Sequence, residues 1–172
     1  TVIRPQRVGP CMFEFKHTLP PGSPDKMMGD YRWYEIPGSP NLDWRKIKRC
    51  CRNGKPGVRY EVEPTSCKVV LYIRGSLQEG SVAFEKAWKH EMDHCVAFAT
   101  YFDETRNLHE TLGPLCVSRA CAPYRLQYVL RAADQYKYAW WTRVNKVDCE
   151  DPGRPEGSIV HEKAVSYTHL TL

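Results

Sequence analysis

The sequence has no pair of cysteines at C-x-x-C spacing and no apolar run long enough to span a membrane. The first absence argues against a structural zinc ribbon and against a thioredoxin-type redox motif. The second leads us to expect no membrane span. The composition still favours a globular core, since 42% of the 172 residues are hydrophobic and 26% are charged. We expect a single domain over residues 1–150 and an unstructured tail over residues 151–172.

Eight cysteines are many for a chain of this length, and they are scattered along it. Disulfide bonds formed in an oxidising compartment are the simplest explanation, and a cytosolic chain with free thiols is the alternative. We therefore expect a secreted or periplasmic protein, although no signal peptide is present in this chain. The sequence does not determine which cysteines pair.

Basic side chains are concentrated between residues 45 and 59, in a chain whose formal net charge is +5. One interpretation is a surface for nucleic acid or for an acidic partner, and the other is a solvated turn region. Aromatic side chains do not alternate with these charges, as a base-stacking surface would require, so we expect no nucleic-acid partner. The residues concerned are Arg45, Lys46, Lys48, Arg49, Arg52, Lys55 and Arg59.

The first 75 residues show the patterns of strands and turns. Residues 12–16 alternate apolar and polar side chains, and residues 31–36 are a second candidate strand. Residues 58–63 also alternate, and residues 67–73 follow them after a turn at residues 64–66. We predict that these last two segments form an antiparallel hairpin with one buried face.

Residues 81–112 contain neither glycine nor proline, and Ser81 and Gly113 stand where a helix would begin and end. Apolar residues recur there at steps of three and four, as on the buried face of a helix. A second helix is predicted from about Pro123 to Val147, and the short connection favours antiparallel packing of the two helices. The apolar stripe of the first helix consists of Phe84, Trp88, Cys95, Phe98 and Phe102.

The first predicted helix carries His90-Glu91-Met92-Asp93-His94, which fits the pattern HExxH. Residues four apart lie on one face of a helix, so both imidazoles would point toward a single metal ion. Glu91, beside the first histidine, could take a proton from an attacking water. The motif predicts a zinc-dependent hydrolase with a peptide or protein substrate. The alternative is an exposed helical turn with two ordinary histidines.

A catalytic zinc site needs a third protein ligand, and the sequence offers two candidates, His109 and Asp148. In an unbroken helix His109 would lie about 22 Å along the axis from His94, at about 1.5 Å per residue. It could serve only if the helix broke near Asn107. A ligand from the second helix fits better, because antiparallel packing would bring the region from Tyr138 to Asp148 to the level of the motif.

The layout resembles a family of bacterial proteins described as secreted zinc-dependent proteases. That family has short strands with a W-x-I-x-W-like stretch, a strand that begins at a cysteine, a helix with HExxH, and a second helix that ends in Y-x-x-x-T-x-H-G. The resemblance implies a zincin-like fold, a zinc cofactor, His90 and His94 as ligands and Glu91 as catalytic base. The matching segments are Tyr31-Arg32-Trp33-Tyr34-Glu35-Ile36, Cys67-Lys68-Val69-Val70, the HExxH motif, a cysteine at 116 or 121, and residues 138–145.

The sequence departs from that family at the end of the second helix. Val144 stands where the pattern has histidine, and Asn145 stands where it has glycine. If that histidine is the family's third ligand, Asp148 could replace it as an oxygen ligand. Otherwise the site is incomplete, and the protein is an inactive, secreted, disulfide-stapled binding module.

The HExxH stretch also resembles the helix motif of peptide deformylases, whose third ligand is an upstream cysteine. Cys50 and Cys51 lie upstream here, but in Arg49-Cys50-Cys51-Arg52 instead of the E-G-C-L-S pattern of that family. A deformylase-like amide hydrolase is therefore a further alternative.

Together these patterns predict a zincin-like, disulfide-containing α+β fold in which a small antiparallel sheet packs on two long antiparallel helices. The predicted function is zinc-dependent hydrolysis of peptide bonds, with His90 and His94 as metal ligands and Glu91 as general base. We expect the five tryptophans to pack in the core or on the sheet instead of forming a ligand platform. The sequence does not indicate an oligomeric state.

Overall fold

The fold is that of a computed structural model, which describes residues 4–36, 47–62 and 65–150. Two long helices and six strands confirm the predicted α+β class, and the predicted tail over residues 151–172 lies outside the described residues. The elements in chain order are β1 (Arg7–Val8), β2 (Cys11–Lys16), β3 (Gly29–Ile36), β4 (Ile47–Arg52), β5 (Lys55–Tyr60), β6 (Ser66–Ile73), α1 (Val82–Leu112) and α2 (Ala122–Glu150).

Four of the strands form one sheet, in the order β1-β2-β6-β3. β6 lies inside this sheet, where it pairs in parallel with β2 and antiparallel with β3. A strand inside a sheet that is covered on both faces is apolar on both faces. β6 fits this description, because Val69 and Leu71 on one face and Val70 on the other are all buried. β3 lies at the edge of the sheet and, among the described residues, pairs with β6 alone.

The predicted hairpin of residues 58–63 with residues 67–73 is wrong. β5 pairs with β4 in a separate two-stranded sheet, whereas β6 pairs with β2 and β3. The turn between β4 and β5 is Asn53-Gly54, and the φ angles of both residues are positive, at 51° and 75°. A two-residue turn of this kind matches the twist of a hairpin and pairs the strands on either side of it. The described part of the basic segment is therefore mostly a hairpin and not a turn region.

The helix predictions are confirmed to within a few residues. α1 begins after Ser81, whose side-chain oxygen accepts a hydrogen bond of 3.2 Å from a backbone N–H three residues further on. α1 packs on the sheet, where it contacts both β6 and β3. α2 runs antiparallel to α1, because Arg125 near its start bonds the Leu112 carbonyl and Arg143 near its end bonds Glu104.

The main core lies between the sheet and α1, and Trp140 and Val144 of α2 complete it. Phe98 of α1 is fully buried there, and the ring of Trp33 stacks on it with 4.9 Å between centroids. Trp33 and Trp140 pack as predicted for the tryptophans, although Trp33 keeps 42% of its surface exposed. Trp44 lies outside the described residues. Within the described ranges, neither helix is apolar enough over its length to cross a membrane.

The prediction that the fold contains disulfide bonds is confirmed, since the structure has two of them among the described residues. Cys11–Cys67 joins β2 to β6, and Cys50–Cys116 joins β4 to the connection between the two helices. Bonds of this kind form and persist in oxidising compartments, which agrees with an extracellular protein. The other cysteines are thiols, namely Cys51, Cys95, Cys121 and Cys149.

His109 should make the fold sensitive to acid. It is 1% exposed, and neither ring nitrogen has a hydrogen-bond partner within the described part of the chain. Burial lowers the pKa of His109 to about 4, against about 6.5 for histidine in an unfolded chain. Between these two values the unfolded chain binds a proton that the folded chain does not, so the free energy of unfolding falls as the pH falls.

We expect acidification from pH 7 to pH 5 to cost the wild type about 1–2 kcal/mol more than it costs the His109→Leu variant. Urea denaturation of both proteins at the two pH values measures this difference. Leu108→Ala, a non-titrating change on the same helix, is the control and should lower stability equally at both pH values. Equal pH dependence of the wild type and His109→Leu would contradict the prediction.

Candidate metal centre

His90 and His94 lie one turn apart on α1, on a face that meets α2. Both are buried, with 2% and 1% of their surfaces exposed. Their ring centroids are 4.9 Å apart, as expected for helical residues at positions i and i+4. The alternative interpretation, an exposed helical turn with two ordinary histidines, is therefore wrong, because both histidines are buried.

Asp148, in the last turn of α2, places its carboxylate against both imidazoles. Its Oδ1 lies 2.6 Å from Nε2 of His94 and 3.3 Å from Nε2 of His90. The Asp148 side chain is fully buried. The candidate ligand atoms of the three residues all lie within 4.8 Å of one another, so this buried group could hold a metal ion.

The donor atoms of this group suit a divalent transition metal. Two imidazole nitrogens with a carboxylate oxygen are a ligand set found at catalytic zinc and at other first-row metals. Nδ1 of His90 has no hydrogen-bond partner in the described ranges, whereas Nε2 of both histidines faces the carboxylate. A cation between them would neutralise Asp148 and would accept the lone pairs of neutral imidazoles. The donor set fits zinc without distinguishing it from its neighbours in the first row.

The structure separates the other sequence candidates from this group. α1 is continuous over Val82–Leu112, so His109 stays about 22 Å along the axis from His94, at about 1.5 Å per residue, and cannot complete the group. Cys50 is in a disulfide bond, and Cys51 is exposed in the hairpin. The cysteine ligand of a deformylase therefore has no counterpart among the described residues.

Val144 stands where the protease family has histidine, and it is buried in the core. Asp148 follows it by one helical turn, on the same face of α2. The carboxylate that contacts the two histidines thus comes from one turn after the position at which the family has its histidine. The sequence signal that pointed to Asp148 was the antiparallel alignment of the helices, not the terminal pattern of the family.

Glu91 is buried beside the group, with 6% of its surface exposed. Burial raises the pKa of Glu91 well above its usual value, and the carboxylates of Asp30 and Asp148 raise it further. Gly29 makes room for this side chain, because a Cβ at residue 29 would lie 2.9 Å from Cγ of Glu91. Only glycine allows β3 to pass this close to Glu91 without displacing it.

Tyr31 supports the imidazole of His94. The two rings are stacked almost in parallel, with 4.6 Å between centroids and 5° between planes. Burial, with the nearby carboxylates of Asp148 and Glu91, raises the pKa of the Tyr31 phenol, which therefore stays protonated at neutral pH. Sequence reasoning did not find the roles of Gly29 and Tyr31. The signal available was the alternation of β3, which turns Tyr31 toward the helix.

No family model, curated protein or solved structure matches this chain. The resemblances to secreted zinc-dependent proteases and to peptide deformylases therefore stay predictions, as does the zincin-like fold. The buried group of two histidines and an aspartate does not depend on those resemblances.

A cleft with a volume of about 700 Å³ adjoins this group. It lies between β3, the second half of α2 and residues 21–24. Two residues of its lining connect it to the group, since Tyr31 stacks on His94 and Val144 precedes Asp148 by one turn. Its volume falls within the range of ligand sites, roughly 300–1,000 Å³.

Proposed function

We propose that this protein is a secreted, zinc-dependent hydrolase of peptide bonds. The observation that carries the proposal is the convergence of His90, His94 and Asp148, all buried, beside Glu91 of the same HExxH motif. The adjoining cleft supports it, because a hydrolase needs a place for its substrate. The two disulfide bonds support secretion, because such bonds persist in oxidising compartments.

Each side chain has a role in this proposal. His90, His94 and Asp148 would hold the ion, which when bound supplies a Lewis acid that polarises a carbonyl and lowers the pKa of water. Glu91 takes a proton from the attacking water on its carboxylate and passes it to the departing amine. Tyr31 keeps the ring of His94 in position through the stack described above.

A second function is favoured by one observation, the burial of the group. His90, Glu91, His94 and Asp148 each have 6% or less of their surface exposed. A metal that no substrate reaches would serve only to join α1 to α2, in a disulfide-stapled binding module without catalysis. The cleft makes the hydrolase the better supported of the two, because it comes within one side chain, that of Tyr31, of His94.

Removal of the metal tests the proposed function. We expect the oxidised, folded protein to contain about one zinc ion per chain by elemental analysis and to cleave an unstructured protein substrate. A zinc chelator should abolish the cleavage, and added zinc should restore it. Magnesium is the control and should not restore it, because it prefers oxygen ligands.

Two outcomes would contradict the hydrolase. A folded protein that neither contains nor binds zinc would remove its basis. A protein that binds zinc with high affinity and cleaves no peptide would favour the binding module instead.

A further inference from the structure

Aromatic rings from two elements form the walls of the cleft beside the candidate metal centre. β3 contributes Tyr31, Trp33 and Tyr34, and α2 contributes Trp140 and Trp141. Trp33 and Tyr34 remain 42% and 48% exposed. Exposed aromatic surface gathered in a concave site is typical of a surface that binds a ligand. Trp33 thus packs on the sheet as expected and also presents part of its ring to the cleft.

Two of these rings, Trp33 and Trp140, are held in place by contacts with each other and with aromatic side chains of α1. Trp33 stacks on Phe98 with 4.9 Å between centroids and meets the edge of Trp140 at 5.7 Å. Trp140 in turn stacks on Tyr101 with 4.8 Å between centroids. A wall that is already ordered loses little conformational entropy when a ligand binds, so it can favour a side chain of matching shape.

Three polar side chains of the cleft are engaged within the protein, whereas the buried indole N–H of Trp140 has no partner among the described residues. Asp30 accepts hydrogen bonds from the backbone N–H of Tyr31 and from the side chain of Arg32. The hydroxyl of Ser23 donates to the carbonyl of Pro20. A ligand rich in hydroxyl groups, such as a sugar, would lose hydrogen bonds to water on entering. An apolar side chain has none to lose.

The backbone of β3 offers the hydrogen bonds that a peptide requires. β3 is an edge strand, and in the described part of the chain it pairs with β6 alone. Side chains from both of its faces line the cleft, Tyr31 and Trp33 from one and Arg32 and Tyr34 from the other. The cleft therefore follows the open edge of the strand, where an extended peptide can pair through its backbone.

We propose that the cleft binds an extended peptide along β3 and takes up one aromatic or large aliphatic side chain of that peptide. The consequence for catalysis rests on the proposed function: the hydrolase would cleave close to such a residue. The bound side chain would lie close to the metal centre because Tyr31 and Val144 both line the cleft. Each of them lies within about one helical turn, roughly 5–6 Å, of a candidate ligand.

Two blocked pentapeptides test the proposal, acetyl-Gly-Gly-Phe-Gly-Gly-amide and its analogue with alanine at the centre. Binding is measured by tryptophan fluorescence with the Glu91→Gln protein, so that hydrolysis does not interfere. We expect the phenylalanine peptide to bind at least about tenfold more tightly than the alanine peptide. Trp141→Ala, added to that protein, should abolish the difference, and Trp141→Phe should restore most of it.

Tyr128→Ala is the matched control, since Tyr128 is an exposed aromatic residue of α2 outside the cleft, and it should leave the preference unchanged. Circular dichroism identifies variants that fail to fold, and in that case Tyr34→Ala, at an exposed position, replaces Trp141→Ala. Equal binding of the two peptides, or a preference that survives in folded Trp141→Ala, would overturn the proposal.

Cleavage by the wild type separates this proposal from the proposed function. Selective binding of the phenylalanine peptide without cleavage of any peptide would support the cleft as a peptide site and reject the hydrolase. If both peptides bind equally and are cleaved at the same rate, the proposal that the cleft selects a large apolar side chain is rejected. The proposed hydrolase function is then still supported.

Discussion

Glu91→Gln should lower the rate of peptide hydrolysis by about 10²–10⁴-fold and leave the zinc content unchanged. Glutamine has the shape of glutamate, but its amide does not accept a proton from water at neutral pH. The fold should tolerate the change, because the space that Gly29 leaves for residue 91 fits a side chain of this size. A peptide cleavage assay gives kcat and KM, and elemental analysis gives the zinc content of the same samples.

Glu85→Gln is the matched control for this variant. Glu85 lies in the first turn of α1, where it is exposed, so the same chemical change is made away from the group and activity should be retained. Full activity of Glu91→Gln would contradict its role as general base. Loss of zinc together with activity would mean that Glu91 acts by shaping the site and not by moving a proton.

Asp148→Asn should weaken zinc binding by roughly a hundredfold or more, because even residues that only support metal ligands contribute about 10–100-fold. The carboxylate lies 2.6 Å from His94 and 3.3 Å from His90, so it is the group best placed to complete the donor set. An amide has nearly the same size but carries no charge to offset that of the ion. Competition with a chelating dye of known affinity measures the change.

The same variant should lose most of the stability that zinc confers. A ligand present at a thousand times its dissociation constant stabilises a protein by about 4 kcal/mol, and a hundredfold weaker affinity leaves about 1.4 kcal/mol. Asp93→Asn is the control, because Asp93 is a half-exposed carboxylate of the same motif that pairs with Lys89. Unchanged zinc affinity of Asp148→Asn would show that the third ligand is another group.

The helices could be predicted because their signals are local. The absence of glycine and proline from residues 81–112, with Ser81 before them and Gly113 after them, sets the ends of α1. Two long helices joined by a short connection then pack antiparallel, which brings the end of α2 to the motif. The sequence could therefore offer Asp148 as a candidate third ligand. Only the unbroken helix excludes His109 from that role.

The strand pairing and the surroundings of the motif could not be predicted in the same way. β2 and β6 pair across a separation of 56 residues, as the disulfide Cys11–Cys67 shows, and no local pattern encodes such a pairing. The Asn53-Gly54 turn was a local signal for β4 and β5, but the alternation of residues 58–63 favoured the wrong partner. Gly29 and Tyr31 approach the motif only because β3 crosses α1 at that level.

The two ends of the helix pair are fastened by different chemistry. Cys50–Cys116 joins β4 to the end where the chain turns from α1 into α2, and the group of His90, His94 and Asp148 lies between the two helices at the opposite end. The last turn of a helix ordinarily frays, and a bound cation would resist that fraying in α2 by anchoring Asp148 to α1. Reduction would release the connection between the helices from β4, and a chelator or acid would release the end of α2 from α1. The helix pair is thus joined to the β4–β5 hairpin by a bond that responds to redox conditions, and its open end is held by a group that would respond to metal supply.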